Sequence, residues 1–275
     1  MIDQFILAFG VFLIAFIFAP VGMGGGLLFV PLLHYIGGWE IDGALIAVSL
    51  TLTCVVSYGS GLAHRKEGHV SDAAVKSGLL GAVPGAILGV GIVLLLGSHL
   101  DLIFKILSAL MLIWSFQKTL KKLNSKEVNQ ASSSDASSQA LPLIHLPLRI
   151  GSGIGGLLSS ILAIGAGVIY VPVLQQYAQL PTRKAIGSSL HLMMVVVPVA
   201  IITHLMFIEN SDWETLKEQA MFLLGLPLLT YLGAKLGAHF GMKYISSNNI
   251  LKIFLFLIGI VLVKYVLDIY STIGF

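Results

Sequence analysis

The 275-residue chain is 56% hydrophobic and only 11% charged, less than half the roughly 25% charged share of an ordinary water-soluble domain. A formal net charge of +3, with no basic patch interleaved with aromatics, argues against a nucleic-acid partner. The single cysteine, Cys54, excludes disulfides within the chain and multi-cysteine metal sites.

Eight apolar runs recur, near 4–36, 43–63, 72–97, 101–117, 148–176, 185–208, 219–241 and 249–270. Runs of this length suit a hydrocarbon core about 30 Å thick. They predict an all-α polytopic membrane protein of about eight transmembrane helices, joined by short loops that leave no room for a soluble catalytic domain. The first run has Asp3 instead of a basic flank and lacks a small-residue cleavage pattern, so it reads as a span and not as a signal peptide. It is too long for one plain helix, since about 33 residues at 1.5 Å each would reach roughly 50 Å. Pro20, Gly22, Gly24, Gly25 and Gly26 supply a break. Proline removes a backbone donor, and each glycine costs a helix roughly 1 kcal/mol while permitting positive φ. A short helix over 27–35, containing Pro31, is predicted to follow.

Further along, Lys118, Lys121, Lys122 and Lys126 lead into a serine-rich stretch over 131–138. The composition predicts a polar linker at 118–147 between a first transmembrane repeat, 1–117, and a second, 148–275. An offset of 141 positions lays Gly24-Gly25-Gly26-Leu27-Leu28-Phe29-Val30-Pro31 over Gly165-Ala166-Gly167-Val168-Ile169-Tyr170-Val171-Pro172. With a shift of one residue, Ser49 falls on Ser189 and His64 on His204. Further on, Gly85 and Gly89 fall on Gly233 and Gly237. An ordered series of this kind predicts two homologous halves, each with a glycine-broken helix, in spans 1 and 5. Four simple spans per half would give the halves one orientation, and odd parity would invert them. Counting Lys and Arg on the four-span assumption puts the termini, the Arg65-Lys66 loop and the linker on the cytoplasmic side, with Arg183-Lys184 opposite.

Irregular backbone at membrane depth is tolerated only against protein or a watery cavity, so the breaks mark a candidate site. The helices that follow them would offer free N–H groups and a partial positive charge to an anion. Gly24, Gly25, Gly26, Gly165 and Gly167 are therefore candidate substrate-binding residues, and Pro20, Gly22, Pro31 and Pro172 candidate structural breakers. Ser49, Ser188 and Ser189 are the leading hydroxyl donors, with Thr51, Thr53 and Ser57 beside them. The competing roles are close helix packing for the glycines and a bond to the i−4 carbonyl for the hydroxyls. Ionisable or polar groups within the runs, His34, His191, Gln175 and Lys235, are candidates for coupling or for lining the pathway, and His204 stands out with them. Lys105 and Lys252, near span starts, are expected to snorkel toward headgroups.

Taken together, Gly22-Met23-Gly24-Gly25-Gly26 followed by Val30-Pro31, its echo Gly165-Ala166-Gly167 followed by Val171-Pro172, and Ala185-Ile186-Gly187-Ser188-Ser189 resemble the TauE/SafE sulfite exporters, also called toluene sulfonate uptake permeases. The resemblance spans nearly the whole chain. It implies a secondary permease of sulfite, thiosulfate, sulfonates, sulfoacetate or related carboxylate anions, in the cytoplasmic membrane of a bacterium, with the lipid bilayer, the anion and protons as partners. Ala166 opposite Gly25 and Val48 opposite Ser188 depart from a symmetric pattern and make the halves chemically unequal.

No cofactor, catalytic residue or metal ligand is predicted. A cation carrier would call for an acidic residue deep in a span, whereas Asp72, Asp101 and Asp268 lie near ends. An intramembrane enzyme would call for HExxH, paired buried aspartates or GxSxG, and none is present. A non-transporting membrane scaffold gives no reason for broken spans in both halves.

Overall fold

The computed structural model describes residues 2–273 apart from 20–23, 125–143, 166, 209–212, 215, 218 and 245–246. Pro20 and Gly22 therefore lie outside the described residues, as does most of the expected linker. The helices, in chain order, are α1 (Ile2–Phe18), α2 (Gly26–Tyr35), α3 (Gly43–Lys66), α4 (Asp72–Leu96), α5 (Leu100–Asn124), α6 (His145–Leu162), α7 (Gly167–Tyr177), α8 (Thr182–Met206), α9 (Ala220–Tyr244) and α10 (Ser247–Ile273). No strand occurs among the described residues. Six of these helices, α3, α4, α5, α8, α9 and α10, are long and apolar enough to cross a membrane.

The first and fifth apolar runs are each two helices that fold back on one another. Gly10 of α1 lies against Leu32 of α2, and Gly151 of α6 lies against Val173 of α7. A continuous helix would hold residues 22 positions apart about 33 Å from each other. The Ile144 N–H donates to the Tyr177 carbonyl at 3.1 Å, so α6 begins at the level where α7 ends. These two runs are hairpins that return to the face they start from, and among the described residues six helices are long and apolar enough to cross a membrane, where eight apolar runs suggest about eight. The glycine breaks are where the sequence puts them, but Pro31 and Pro172 do not act as breakers: both stand inside the short helices, five residues after their starts. A proline there removes a single N–H and leaves the rest of the short helix bonded, so it does not end the helix.

Following the chain, α1, α2, the loop at 36–42 and the end of α10 share one face, the terminal face. The loop at 67–71, the end of α5, the start of α6 and the start of α8 share the other, the linker face. The Asp42 carboxylate caps α3 by accepting the Leu45 N–H at 2.8 Å on the terminal face. On the linker face the Ser71 N–H donates to Ser188 Oγ at 2.9 Å. The linker begins later than expected, because α5 continues to Asn124 and its last turns carry Lys118 over the Trp114 ring at 4.8 Å.

At the centre, α3 and α8 run antiparallel, and the Tyr58 hydroxyl donates to the Met194 carbonyl across them. Their most apolar stretches are 61% and 67% buried, against 22–39% for the other crossing helices, so the outer helices supply the lipid-facing surface. Each hairpin packs on a helix from the other half. Gly81 and Gly85 of α4 meet the α6 backbone at Arg149 and Gly153, while Gly233 and Gly237 of α9 meet the α1 backbone at Phe12 and Phe16. Small residues let the backbones approach this closely, which is how helices associate where lipid competes with side chains for apolar contact.

Candidate functional site

Both hairpins turn on glycine. Gly24 and Gly25 have φ of 72° and 76°, and Gly165 has 65°, left-handed backbone that disfavours any Cβ. The two turns meet inside the protein. A Cβ on Gly26 would run into the backbone of Ala163 and Ile164, and a Cβ on either Gly24 or Gly165 would run into the same two side chains, Thr53 and Met193. Thr53 lies ten residues into α3 and Met193 eleven into α8, so the tips touch about halfway along both central helices.

Here the N-termini of α2 and α7 converge. The Gly25 carbonyl accepts from Leu28 and Phe29, and no side chain caps α2, so its first N–H groups stay available at the tip. Thr53 Oγ1 and Ser49 Oγ are fully buried and have no hydrogen-bond partner among the described residues. Four residues apart on α3, they share a face. Ser189 stands in the same relation to Met193 on α8, and among the described residues its Oγ meets only the Met193 sulfur, at 4.0 Å. The result is a buried, formally uncharged set of donors: two helix N-termini and a group of hydroxyls. A small anion is the ligand that such donors stabilise without the cost of burying a fixed cation.

The sequence-derived candidates separate on this geometry. Gly24, Gly25, Gly26, Gly165, Ser49 and Ser189 gather at or within one helical turn of the tips, and Gly167 opens α7 there. Ser188 does not join them, since its Oγ holds the Ser71 N–H at the linker face. Thr51 and Ser57 bond their own i−4 carbonyls, Ala47 and Thr53. His191 is buried two residues before Met193, with Nδ1 bonded to the Gly187 carbonyl at 2.9 Å. His34 lies at the terminal face, 2.6 Å from the Trp39 carbonyl, lining a recess of about 470 Å³ with Glu40, Asp42, Asp101 and Lys105. Gln175 ties the end of α7 to Thr182, and exposed Lys235 sits over Tyr231, both away from the tips. Lys105 does not snorkel: it is buried, 3.0 Å from Asp101 and 3.2 Å from Asp268. Met193 carried no signal of its own in the sequence, although it stands 140 positions after Thr53, the shift that pairs Ser49 with Ser189.

Residues 7–265 match the family described as Sulfite exporter TauE/SafE. The chain belongs to the TauE/SafE family. Two relatives from Xylella fastidiosa carry the name "Probable membrane transporter protein". The one from strain 9a5c is 27% identical over 259 residues, covering 93% of this chain and 91% of the relative. The one from strain Temecula1 is 29% identical over 261 residues, with the same coverage. No solved structure matches the chain. As a TauE/SafE protein it is a multi-pass membrane transporter and not an enzyme.

Proposed function

We propose that this TauE/SafE transporter is a secondary carrier of sulfite and related sulfur-containing anions, including thiosulfate, sulfonates and sulfoacetate, bound between the two hairpin tips. The observation that carries the proposal is Thr53, whose side chain lies against both hairpin tips, where two helix N-termini enter from opposite faces, and whose buried hydroxyl has no hydrogen-bond partner among the described residues. An oxyanion would accept from all three at once, and release is easier from neutral donors than from a buried lysine or arginine. In this conformation the Thr53 methyl and the Met193 side chain occupy the space between the tips, so binding requires Met193 to withdraw and Thr53 to turn its hydroxyl toward the ligand.

Each half then comprises one returning hairpin and three crossings, an odd number, and we read the halves as inverted repeats of the kind that carriers rock against each other. The positive-inside rule assigns the linker face to the cytoplasm. Arg65, Lys66, Lys76, Lys118, Lys121, Arg149, Arg183 and Lys184 all lie toward it, against Lys105, Lys217 and Lys264 toward the terminal face. The hairpins remove the conflict that Arg183-Lys184 poses for a four-span half, and they move both termini to the outer side of a bacterial cytoplasmic membrane. His191, next to the tips, is the group we assign to proton coupling.

Uptake of radiolabelled sulfite into proteoliposomes, with and without an imposed pH gradient, tests this reading. Saturable flux competed by thiosulfate and sulfoacetate is expected, faster with the gradient. Flux no greater than in empty liposomes, from folded protein, would sink the substrate assignment, and flux indifferent to pH would sink the coupling.

A further inference from the structure

The two hairpins share their geometry but not their polarity. Among the buried hydroxyls without a hydrogen-bond partner among the described residues, three fall on the second hairpin: Ser152, Ser159 and Tyr170, each 0% exposed. The positions 141 earlier on the first hairpin are Val11, Phe18 and Phe29, equally buried and wholly apolar. An orphaned buried hydroxyl is destabilising, because it loses its bonds to water and gains none in the fold. The first hairpin folds with hydrocarbon at all three places, so the shared geometry gives no reason for that cost. Nor does the usual escape apply: neighbouring Ser160 bonds its i−4 carbonyl, Gly156, whereas Ser152 and Ser159 do not.

The three hydroxyls also form a series. Ser152 and Ser159, seven residues apart, share one face of α6 about 10 Å apart along its axis. The Tyr170 ring lies on Gly155 between them, where the first hairpin has Ile14, so the glycine makes room for the phenol. Ser159 is toward the tips and Ser152 toward the linker face, with Ser152 Oγ against Gly78 of α4.

We propose that this hydroxyl series is one wall of the route by which a small hydrated oxyanion passes between the tip site and the linker face, and that the apolar first hairpin has no counterpart to it. The inference rests on the carrier reading above. Hydroxyls spaced a helical turn or more apart hand an anion from donor to donor without a fixed charge that would trap it.

The lone cysteine allows a direct test. In a Cys54→Ala background, Ser152→Cys, Ser159→Cys, Val11→Cys and Phe18→Cys are reacted with the small anionic reagent 2-sulfonatoethyl methanethiosulfonate, and labelling rates are compared. Labelling at 152 and 159 at least tenfold faster than at 11 and 18 is expected. Equal rates on the two hairpins, or no labelling at 152 and 159, would overturn the route. A second arm removes the hydroxyls in place, with Ser152→Ala, Ser159→Ala and Tyr170→Phe. Each should keep or raise Tm, because no bond is broken, and lower the rate of sulfite uptake by fivefold or more. A Tm lowered by several degrees would show that the hydroxyls hold the fold, and it too would overturn the proposal. Absence of sulfite uptake in the parent protein would fall on the substrate assignment alone, since labelling reads the route without it.

Discussion

The hairpin tips and the terminal-face cluster are both polar, yet they are built in opposite ways. At the tips the groups are neutral: Thr53, Ser49 and two helix N-termini, with hydroxyls left unpartnered. At the terminal face the groups are charged and saturated. Lys105 lies between Asp101 and Asp268, and the Tyr35 hydroxyl donates to Asp268 at 2.9 Å, joining α2 to α5 and α10. A site that must release its ligand is better served by weak, open donors, whereas a joint between helices is better served by paired charges whose partners leave nothing for a ligand. On the proposed carrier reading, the difference separates a binding place from a brace.

Substitutions that break this comparison should rank by how directly they touch the tips. Gly165→Val combines an unfavourable positive φ with collision against Thr53 and Met193, so sulfite uptake should fall at least a hundredfold while membrane insertion persists. Wild-type uptake from that variant would move the site elsewhere. Thr53→Val keeps the shape and removes the orphaned hydroxyl. Uptake should drop about tenfold with Tm unchanged, since a hydrogen bond to a charged ligand is worth about 1.5–3 kcal/mol and the fold loses none. Lys105→Met should do the reverse. It leaves two partly exposed carboxylates without their shared cation, lowering stability by about 2 kcal/mol in a thermal melt while the KM for sulfite stays within twofold.

Much of this layout was legible in the residues. The glycine clusters announced the breaks because no other residue relieves the backbone there, and the 141-residue offset aligned contacts as separate as Gly10 with Leu32 and Gly151 with Val173. What the chain did not disclose was direction. A broken apolar run looks the same whether the second helix continues onward or turns back, because both arms are apolar and neither composition nor spacing encodes the angle at a glycine. For the same reason the four-span assumption sets Arg183-Lys184 on the face opposite Arg65-Lys66, whereas the hairpins bring them to one face. The sequence does not show the bracing role of Lys105 because its partner Asp268 lies 163 positions away, beyond any local pattern.

The finest test of the comparison lies where sequence pairing misleads. His64 and His204 align between the halves, but only His204 acts as a helix cap, its Nε2 3.0 Å from the Ser160 carbonyl at the end of α6. At the corresponding end of α1 the Ala19 carbonyl is met at 2.6 Å by the Ser60 hydroxyl, and both ring nitrogens of His64 are buried without a partner among the described residues. Phenylalanine preserves most of the ring volume and removes the nitrogens, so it isolates the bond from the packing. His204→Phe strands a buried carbonyl and should cost about 1–3 kcal/mol. His64→Phe breaks no bond and should leave Tm unchanged or raise it. Equal losses in the two melts would mean that His64 has a partner in the folded protein, and the two halves would then be more alike at this level than their hydrogen bonds indicate.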